Sequence, residues 1–289
     1  CGVDRMRQVY LNGQFLPEAE GKVSIFDRGF VFADAVYEVV AVLDGKLLEF
    51  AGHMARLRRS LGELDMPFSM SDEALLAVHR KLVELNQVDE GLVYMQVTRG
   101  VADRDFVFPD RTTPNTVVLF TQNKHVSTKT AEELALRVIT LEDLRWLRCD
   151  IKTVQLLFPS MAKNLAKKAG ADDAWLVRDG WVTEGSSCNA YIVTADGAIV
   201  TRDVSNLILN GITRGAVLDC ARELGMRLEE RAFDVAEAKA AKEAFITSAT
   251  TFVSPVVQID DAVIGGGKPG SVAARLREIY LARSRQAAI

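Results

Sequence analysis

The run Ala35-Val-Tyr-Glu-Val-Val-Ala-Val-Leu43 is rich in valine and stops at Asp44-Gly45. Branched side chains pack well on a pleated surface, and an Asp-Gly pair readily adopts the positive φ angles of a tight hairpin turn. Such a strand must lie in a sheet, and Lys46–Phe50 is expected as its return strand. Gln8–Leu16 carries the same signal, with Asn12-Gly13 between two apolar runs. Apolar residues recur at helical spacing over His53–Leu64 and Asp72–Leu85, while Leu92–Thr98 and Thr116–Thr121 read as further strands. Gln122-Asn-Lys-His-Val-Ser-Thr128 is polar and poor in apolar residues. Residues 1–121 are therefore expected to form a small N-terminal α+β domain, with 122–128 as the linker.

Beyond the linker, Leu134–Leu141 reads as a strand and Ser160–Ala169 as a helix stopped by Gly170. Ala174–Val177, Ala190–Thr194 and Ala198–Thr201 are short strands. Thr213–Leu224 is a helix ended by Gly225, Phe245–Thr247 and Val256–Ile259 are strands, and a closing helix starts at Ser271. Residues 129–289 are thus expected as a larger C-terminal domain, and the fold class is α+β with two domains.

Composition narrows the function classes. The chain has 289 residues, 48% hydrophobic and 26% charged, enough for one large or two modest cores. The net charge is −4 with scattered basic residues, which gives no nucleic-acid footprint. No apolar run nears the roughly 20 residues that cross a bilayer. Cys1-Gly-Val-Asp-Arg-Met-Arg7 lacks the charged and apolar regions of a signal peptide. Cys1, Cys149, Cys188 and Cys220 form no C-x-x-C, so cytosolic thiols are expected and a zinc site or disulfide framework is not. His79 falls in a helical pattern, His125 in the linker, and His53 stands before a helix, where a structural hydrogen bond is expected. Metal and Ser-His-Asp chemistry have little to work with.

Chemistry concentrates elsewhere. Arg145-Trp-Leu-Arg-Cys-Asp-Ile-Lys152 places one lysine in mainly apolar, strand-like surroundings. Alone, such a lysine is usually a surface residue with a buried stem; desolvated, it becomes an amine able to condense with an aldehyde. Thr183-Glu-Gly-Ser-Ser-Cys-Asn189 places Glu184 in an expected tight turn. A carboxylate facing a pyridine nitrogen keeps the ring protonated, which pyridoxal 5′-phosphate needs in order to act as an electron sink. Leu209-Asn-Gly-Ile-Thr-Arg-Gly215 opens a helix, and exposed amides at a helix start attract a phosphate. Arg56, on the first turn of its helix, offers a charge to the same phosphate. Thr247-Ser-Ala-Thr-Thr251 follows a strand and offers further amides and hydroxyls.

With these pieces in order, the chain from Val9 onward resembles the D-amino acid aminotransferases among the fold-type IV (branched-chain aminotransferase-like) pyridoxal-phosphate enzymes. The resemblance is carried by Asp27-Arg-Gly29, Ala33-Asp-Ala-Val-Tyr-Glu38, Tyr94-Met-Gln-Val-Thr-Arg-Gly100 and the segments around Lys152, Glu184, Thr213 and Ser248. It implies a two-domain fold whose larger C-terminal domain has a barrel-like sheet and carries Lys152. Lys152 would be the Schiff-base lysine and Glu184 the partner of the pyridine nitrogen. Arg56, Ser187, Ile212, Thr213, Ser248 and Ala249 would surround the cofactor, with Leu209 packed on its ring. Tyr37, Arg104 and Phe106 would face the substrate carboxylate. Because the family's counterpart of the Arg104 loop reaches in from a neighbouring subunit, a cytoplasmic homodimer is implied. The implied reaction is ping-pong exchange between a D-amino acid and a 2-oxo acid through pyridoxamine phosphate.

Two positions depart from the family pattern. Arg104-Asp-Phe106 stands where Arg-x-His is usual, so one hydrogen-bond donor to the carboxylate is gone and that end is more apolar. Ala249 stands where a phosphate-binding threonine is common. The alternatives are an (R)-selective amine transaminase, favoured by Phe106 and opposed by Arg104, and a 4-amino-4-deoxychorismate lyase, opposed by the complete match around Lys152. A non-catalytic scaffold would need neither Lys152 nor Glu184.

Overall fold

The structure, a computed structural model, describes residues 6–289. The reading of the extreme N-terminus lies largely on residues 1–5, outside the described residues. The chain divides into two compact units. One comprises Cys1–His125, Ile151–Gln155 and Arg285–Ile289, and the other Val126–Asp150 and Leu156–Ser284. Lys152, expected in the second domain, lies in the first of these units.

The first unit holds β1 (Gln8–Leu11), β2 (Gln14–Pro17), α1 (Arg28–Phe32), β3 (Ala35–Leu43), β4 (Lys46–Leu47), α2 (Phe50–Glu63), α3 (Asp72–Asn86), β5 (Gly91–Thr98) and β6 (Val117–Asn123). The strands form one antiparallel sheet in the order β2-β1-β6-β5-β3-β4. Asn12 (φ 47°) and Gly13 (φ 94°) make the β1–β2 turn, as their left-handed tolerance predicts. Alternation then sorts the faces: Val36, Val40 and Val42 of β3 join Val93, Met95 and Val97 of β5 in a core with Met54, Leu57 and Leu61 of α2 and Leu75 and Leu82 of α3. The return strand is shorter than expected. Glu49 turns into the left-handed region (φ 51°) and α2 begins at Phe50, so the chain leaves the sheet early. Ser71 accepts a hydrogen bond from the Ala74 N–H to start α3.

The second unit holds β7 (Leu136–Glu142), α4 (Leu157–Lys168), β8 (Asp173–Arg178), β9 (Trp181–Gly185), β10 (Asn189–Val193), β11 (Ile199–Thr201), α5 (Ile212–Glu223), β12 (Leu228–Glu230), α6 (Val235–Lys239), β13 (Glu243–Ser248), β14 (Phe252–Ile259), β15 (Ala262–Val263) and α7 (Ser271–Ala287), whose last residues fall to the first unit. Its mixed sheet runs β12-β11-β10-β13-β14-β7-β8-β9, with β15 paired to β14. Strands buried on both faces, such as β10, read as apolar runs without alternation, and Ala190, Ile192, Ala244, Ile246 and Val256 meet Trp175 and Phe233 in its core. The Glu243 carboxylate on β13 accepts from the Val272 and Ala273 amides, capping α7 in place of a local side chain. Glu184, expected in a turn, lies on β9, because Trp175 pairs with Gly185 across a register shift. The elements α1, β9, β12, α6 and β15 are absent from the sequence expectation, and most are too short for a periodic signal.

His79 on α3 is buried in the first core. Its Nδ1 lies 2.7 Å from the Leu75 carbonyl, so that nitrogen carries the proton, and Nε2 has no partner among the described residues. Burial lowers its pKa to about 4. Below the ordinary histidine range the unfolded chain takes up a proton that the folded chain refuses, so stability falls as pH drops from about 6.5 towards 4. This difference is worth on the order of 3 kcal/mol. Urea unfolding of His79→Gln should show a markedly shallower loss between pH 7 and 4.5 than the parent; parallel losses would show that His79 is not the group responsible.

Candidate active site

Lys152 is presented by an irregular segment rather than the expected strand. Its carbonyl accepts from the Tyr37 N–H at 3.0 Å, Thr153 bridges Val36, and the Lys152 N–H donates to Ser60 Oγ at 3.3 Å. The segment is thus laid against the edge of β3 and the end of α2, and neighbouring Ile151 enters the first core. The Lys152 Nζ stands 4.1 Å from the centre of the Tyr37 ring, which continues as a stack through Tyr94 to Phe120. A half-buried amine over an aromatic face is held away from bulk water and keeps a fixed direction.

On the opposite face of β3, Glu38 points into the apolar core with no exposure at all. Arg56 reaches it from the second turn of α2 with two parallel bonds, Nε to Oε1 at 2.8 Å and Nη2 to Oε2 at 2.7 Å; His53 Nδ1 adds a third at 2.7 Å. Burial acts to raise the Glu38 pKa, yet the Arg56 charge and these bonds hold it at about 2. His53, lowered by burial despite Glu38, is the structural hydrogen bond expected of it. Arg56 is therefore oriented by a buried carboxylate, a partner that the sequence analysis did not assign. Glutamate within a run of valines was the available signal.

The loop carrying Arg104 and Phe106 is anchored from behind. Arg28 and Arg99 both bond Asp34 Oδ2 at 2.8 Å; Arg28 also donates to the Asp105 carbonyl at 2.6 Å, and the Arg99 guanidinium lies 3.6 Å over the Phe108 ring. Arg104 sits 5.4 Å from both the Phe32 and Phe106 ring centres, and Phe106 is 77% exposed. Tyr37 is half-buried in the same unit.

In the second unit, Glu184 is only 4% exposed. Its Oε1 lies 2.5 Å from Arg145 Nη1, Oε2 accepts from Asn189 Nδ2 at 3.1 Å, and the Leu209 N–H reaches both oxygens at 3.2 Å. Burial pushes its carboxyl up, against the pull of Arg145 and the Leu209 amide. Leu209 meets this site through its backbone, and the same Asn189 amide holds the Leu209 carbonyl at 2.9 Å.

The start of α5 follows from Gly211. A Cβ there would stand 2.2 Å from Asn189 Oδ1, so only glycine fits. No side chain caps this helix, and the buried Thr213 Oγ1 has no hydrogen-bond partner among the described residues. Unused amides and an orphaned hydroxyl at one helix start match a phosphate. Ser248 bonds Thr251 Oγ1 at 2.7 Å beside Ala249, in the turn after β13. Ser187 is exposed, whereas Ser186 is buried and bonded to Asp173. The two units divide the expected residues: Tyr37, Arg56, Arg104, Phe106 and Lys152 lie in the first, and Glu184, Ser187, Leu209, Ile212, Thr213, Ser248 and Ala249 in the second.

Among the described residues no cluster could hold a metal ion, and no helix is long and apolar enough to cross a membrane. The chain as a whole is similar to known proteins. The chain is 40% identical over 273 residues to a D-alanine aminotransferase of Staphylococcus aureus (strain N315), covering 94% of this chain and 96% of that one. It is 42% identical over 264 residues to a D-alanine aminotransferase of Bacillus licheniformis, covering 91% and 92%. A crystal structure of the T.th. branched-chain amino acid aminotransferase with pyridoxamine 5′-phosphate superposes with a TM-score of 0.86 at 28% identity, covering 95% of this chain and 92% of that one. The α+β, fold-type IV architecture expected from the sequence is the one found. Residues 35–259 match the model of amino-transferase class IV, and the chain belongs to that family.

Proposed function

We propose that this protein exchanges an amino group between a D-amino acid and a 2-oxo acid, with pyridoxal 5′-phosphate as cofactor. The observation that carries the reading is Glu184, a buried carboxylate with both oxygens held in place, in a chain about 40% identical to D-alanine aminotransferases. The orphaned Thr213 hydroxyl and uncapped α5 amides support the fit of the phosphate.

When bound, the cofactor supplies an aldehyde that condenses with amines and a ring that accepts the electron pair left by the departing Cα proton. Lys152 would be the amine that holds the aldehyde at rest; once displaced by substrate, it would take the Cα proton and return it to the cofactor's aldehyde carbon, across the imine nitrogen. Its single direction of approach, over Tyr37, restricts proton transfer to one face, so the end of the site that takes the carboxylate sets which enantiomer reacts. Glu184 would retain a proton on the ring nitrogen through a charge-assisted hydrogen bond. The α5 amides, Ile212 and Thr213 would bind the phosphate, with Arg56 adding charge, Ser187, Ser248 and Ala249 lining its neighbourhood, and Leu209 packing on the ring. Arg104 and Tyr37 hold the substrate α-carboxylate, where a guanidinium offers paired donors.

Phe106 favours one second reading. Its exposed ring lies beside Arg104 where an imidazole is usual, so apolar amines are tolerated and (R)-amine transamination accompanies the main activity. The same loop and α1 support a homodimer: Phe106 and Val107 of the loop and Phe30 of α1 are each more than 70% exposed, more apolar surface than an isolated chain hides well. The corresponding location is the cytoplasm.

Purified protein should be yellow, and borohydride reduction followed by peptide mapping should find the cofactor on Lys152. Finding it on another lysine would remove Lys152 from its role. For the carboxylate, Arg104→Ala should lower kcat/KM for D-alanine at least tenfold more than for (R)-1-phenylethylamine, while Phe106→His should move the ratio towards D-alanine. Equal losses for both donors in Arg104→Ala would make the arginine structural and bring the amine reading forward.

A further inference from the structure

We propose that Arg145 is a positioning residue of this transamination, fixing the orientation of the Glu184 carboxylate and keeping it ionised. The inference rests on the role given to Glu184 above. The Arg145 guanidinium is shared between two carboxylates. Its Nε lies 2.9 Å from Asp143 Oδ1 and its Nη2 2.7 Å from Oδ2, while Nη1 points to Glu184 Oε1 at 2.5 Å. Thr183 Oγ1 donates to Asp143 Oδ2 at 2.8 Å. Behind them Arg178 Nη2 lies 3.2 Å from Asp143 Oδ1 and donates to the carbonyls of Asp143 and Arg145. Charges therefore alternate in one row, Arg178, Asp143, Arg145, Glu184, all within the second unit.

A guanidinium does not lose its proton in proteins and is planar. With its Nε–Nη2 edge fixed on Asp143, the direction of Nη1 is no longer free, so Arg145 orients Glu184 as well as charging it. The Leu209 amide and Asn189 hold the other side of the carboxylate. Without Arg145, a carboxyl with so little water would take up a proton itself. It would then face the ring nitrogen as a donor and leave that nitrogen unprotonated. The remaining groups facing Glu184 do not replace Arg145: Asp143 is negative, and burial raises the thiols of Cys149, to about 11, and of Cys188, well above its ordinary value, so both stay neutral.

The test follows the Glu184 carboxyl by 13C NMR in full-length chain freed of cofactor, with the signal assigned by its loss in Glu184→Gln. Arg145→Met should raise the Glu184 titration midpoint by at least two pH units, roughly a hundredfold in proton affinity. Arg145→Lys, which keeps the charge but not the fork, should recover part of that shift. Asp143→Asn removes a neighbouring negative charge and should lower the midpoint; it serves if Arg145→Met does not fold. In holoenzyme carrying 15N-labelled cofactor, the ring nitrogen should be protonated at pH 8 in the parent and unprotonated in Arg145→Met. An unmoved Glu184 midpoint in Arg145→Met, or a raised one in Asp143→Asn, overturns the proposal whatever the cofactor does. A moved midpoint beside an unprotonated ring in the parent sustains the Arg145–Glu184 link and removes the role assigned to Glu184.

Discussion

A carboxylate deprived of water persists inside a protein only when a cation and hydrogen-bond donors replace its hydration. Two such carboxylates, Glu38 and Glu184, organise the two units. Glu38 is met by Arg56 and His53 from α2, and Glu184 by Arg145, Asn189 and the Leu209 amide. A packed apolar group at either place would often be as stabilising, whereas removing one partner strands a charge at a cost of about 3–5 kcal/mol.

The sheets make these placements. Alternation along β3 sends Glu38 to the helix-covered face and Tyr37 to the other, so one strand both braces Arg56 and supplies the aromatic surface under Lys152. In the second unit β9 delivers Glu184 and β10 begins with Asn189, whose amide ties the carboxylate to the Leu209 backbone just before α5. The proposed ring partner and the proposed phosphate seat are therefore linked by one side chain. A shift of β10 would disturb both together.

Specificity rests on softer ground. The Arg104 loop is held by Arg28 at the Asp105 carbonyl and by Arg99 stacked on Phe108, with Asp34 bonding both arginines. Its tip, with Phe106, faces solvent in the single chain. With a rigid base and an apolar, exposed tip, a loop proposed to meet the substrate could change its preferred donor by single substitutions away from Lys152.

The strands with strong valine content, the Asn12-Gly13 turn and helices α2 and α3 were legible in the sequence, because each is signalled by neighbouring residues. Several of the shortest elements, such as α1, α6 and β9, were not, since a period needs length to show. The partnerships were beyond reach altogether. Glu38 and Arg56 are eighteen positions apart and Arg145 and Glu184 thirty-nine, and no local pattern pairs them. Nor did sequence order reveal that Lys152, embedded between segments of the second unit, packs with the first, or that Glu184 lies on a strand. Residue type named the chemistry available to this chain. Which cation faces which carboxylate, and with what orientation, was decided by tertiary packing, because buried charge is stabilised by what lies across space.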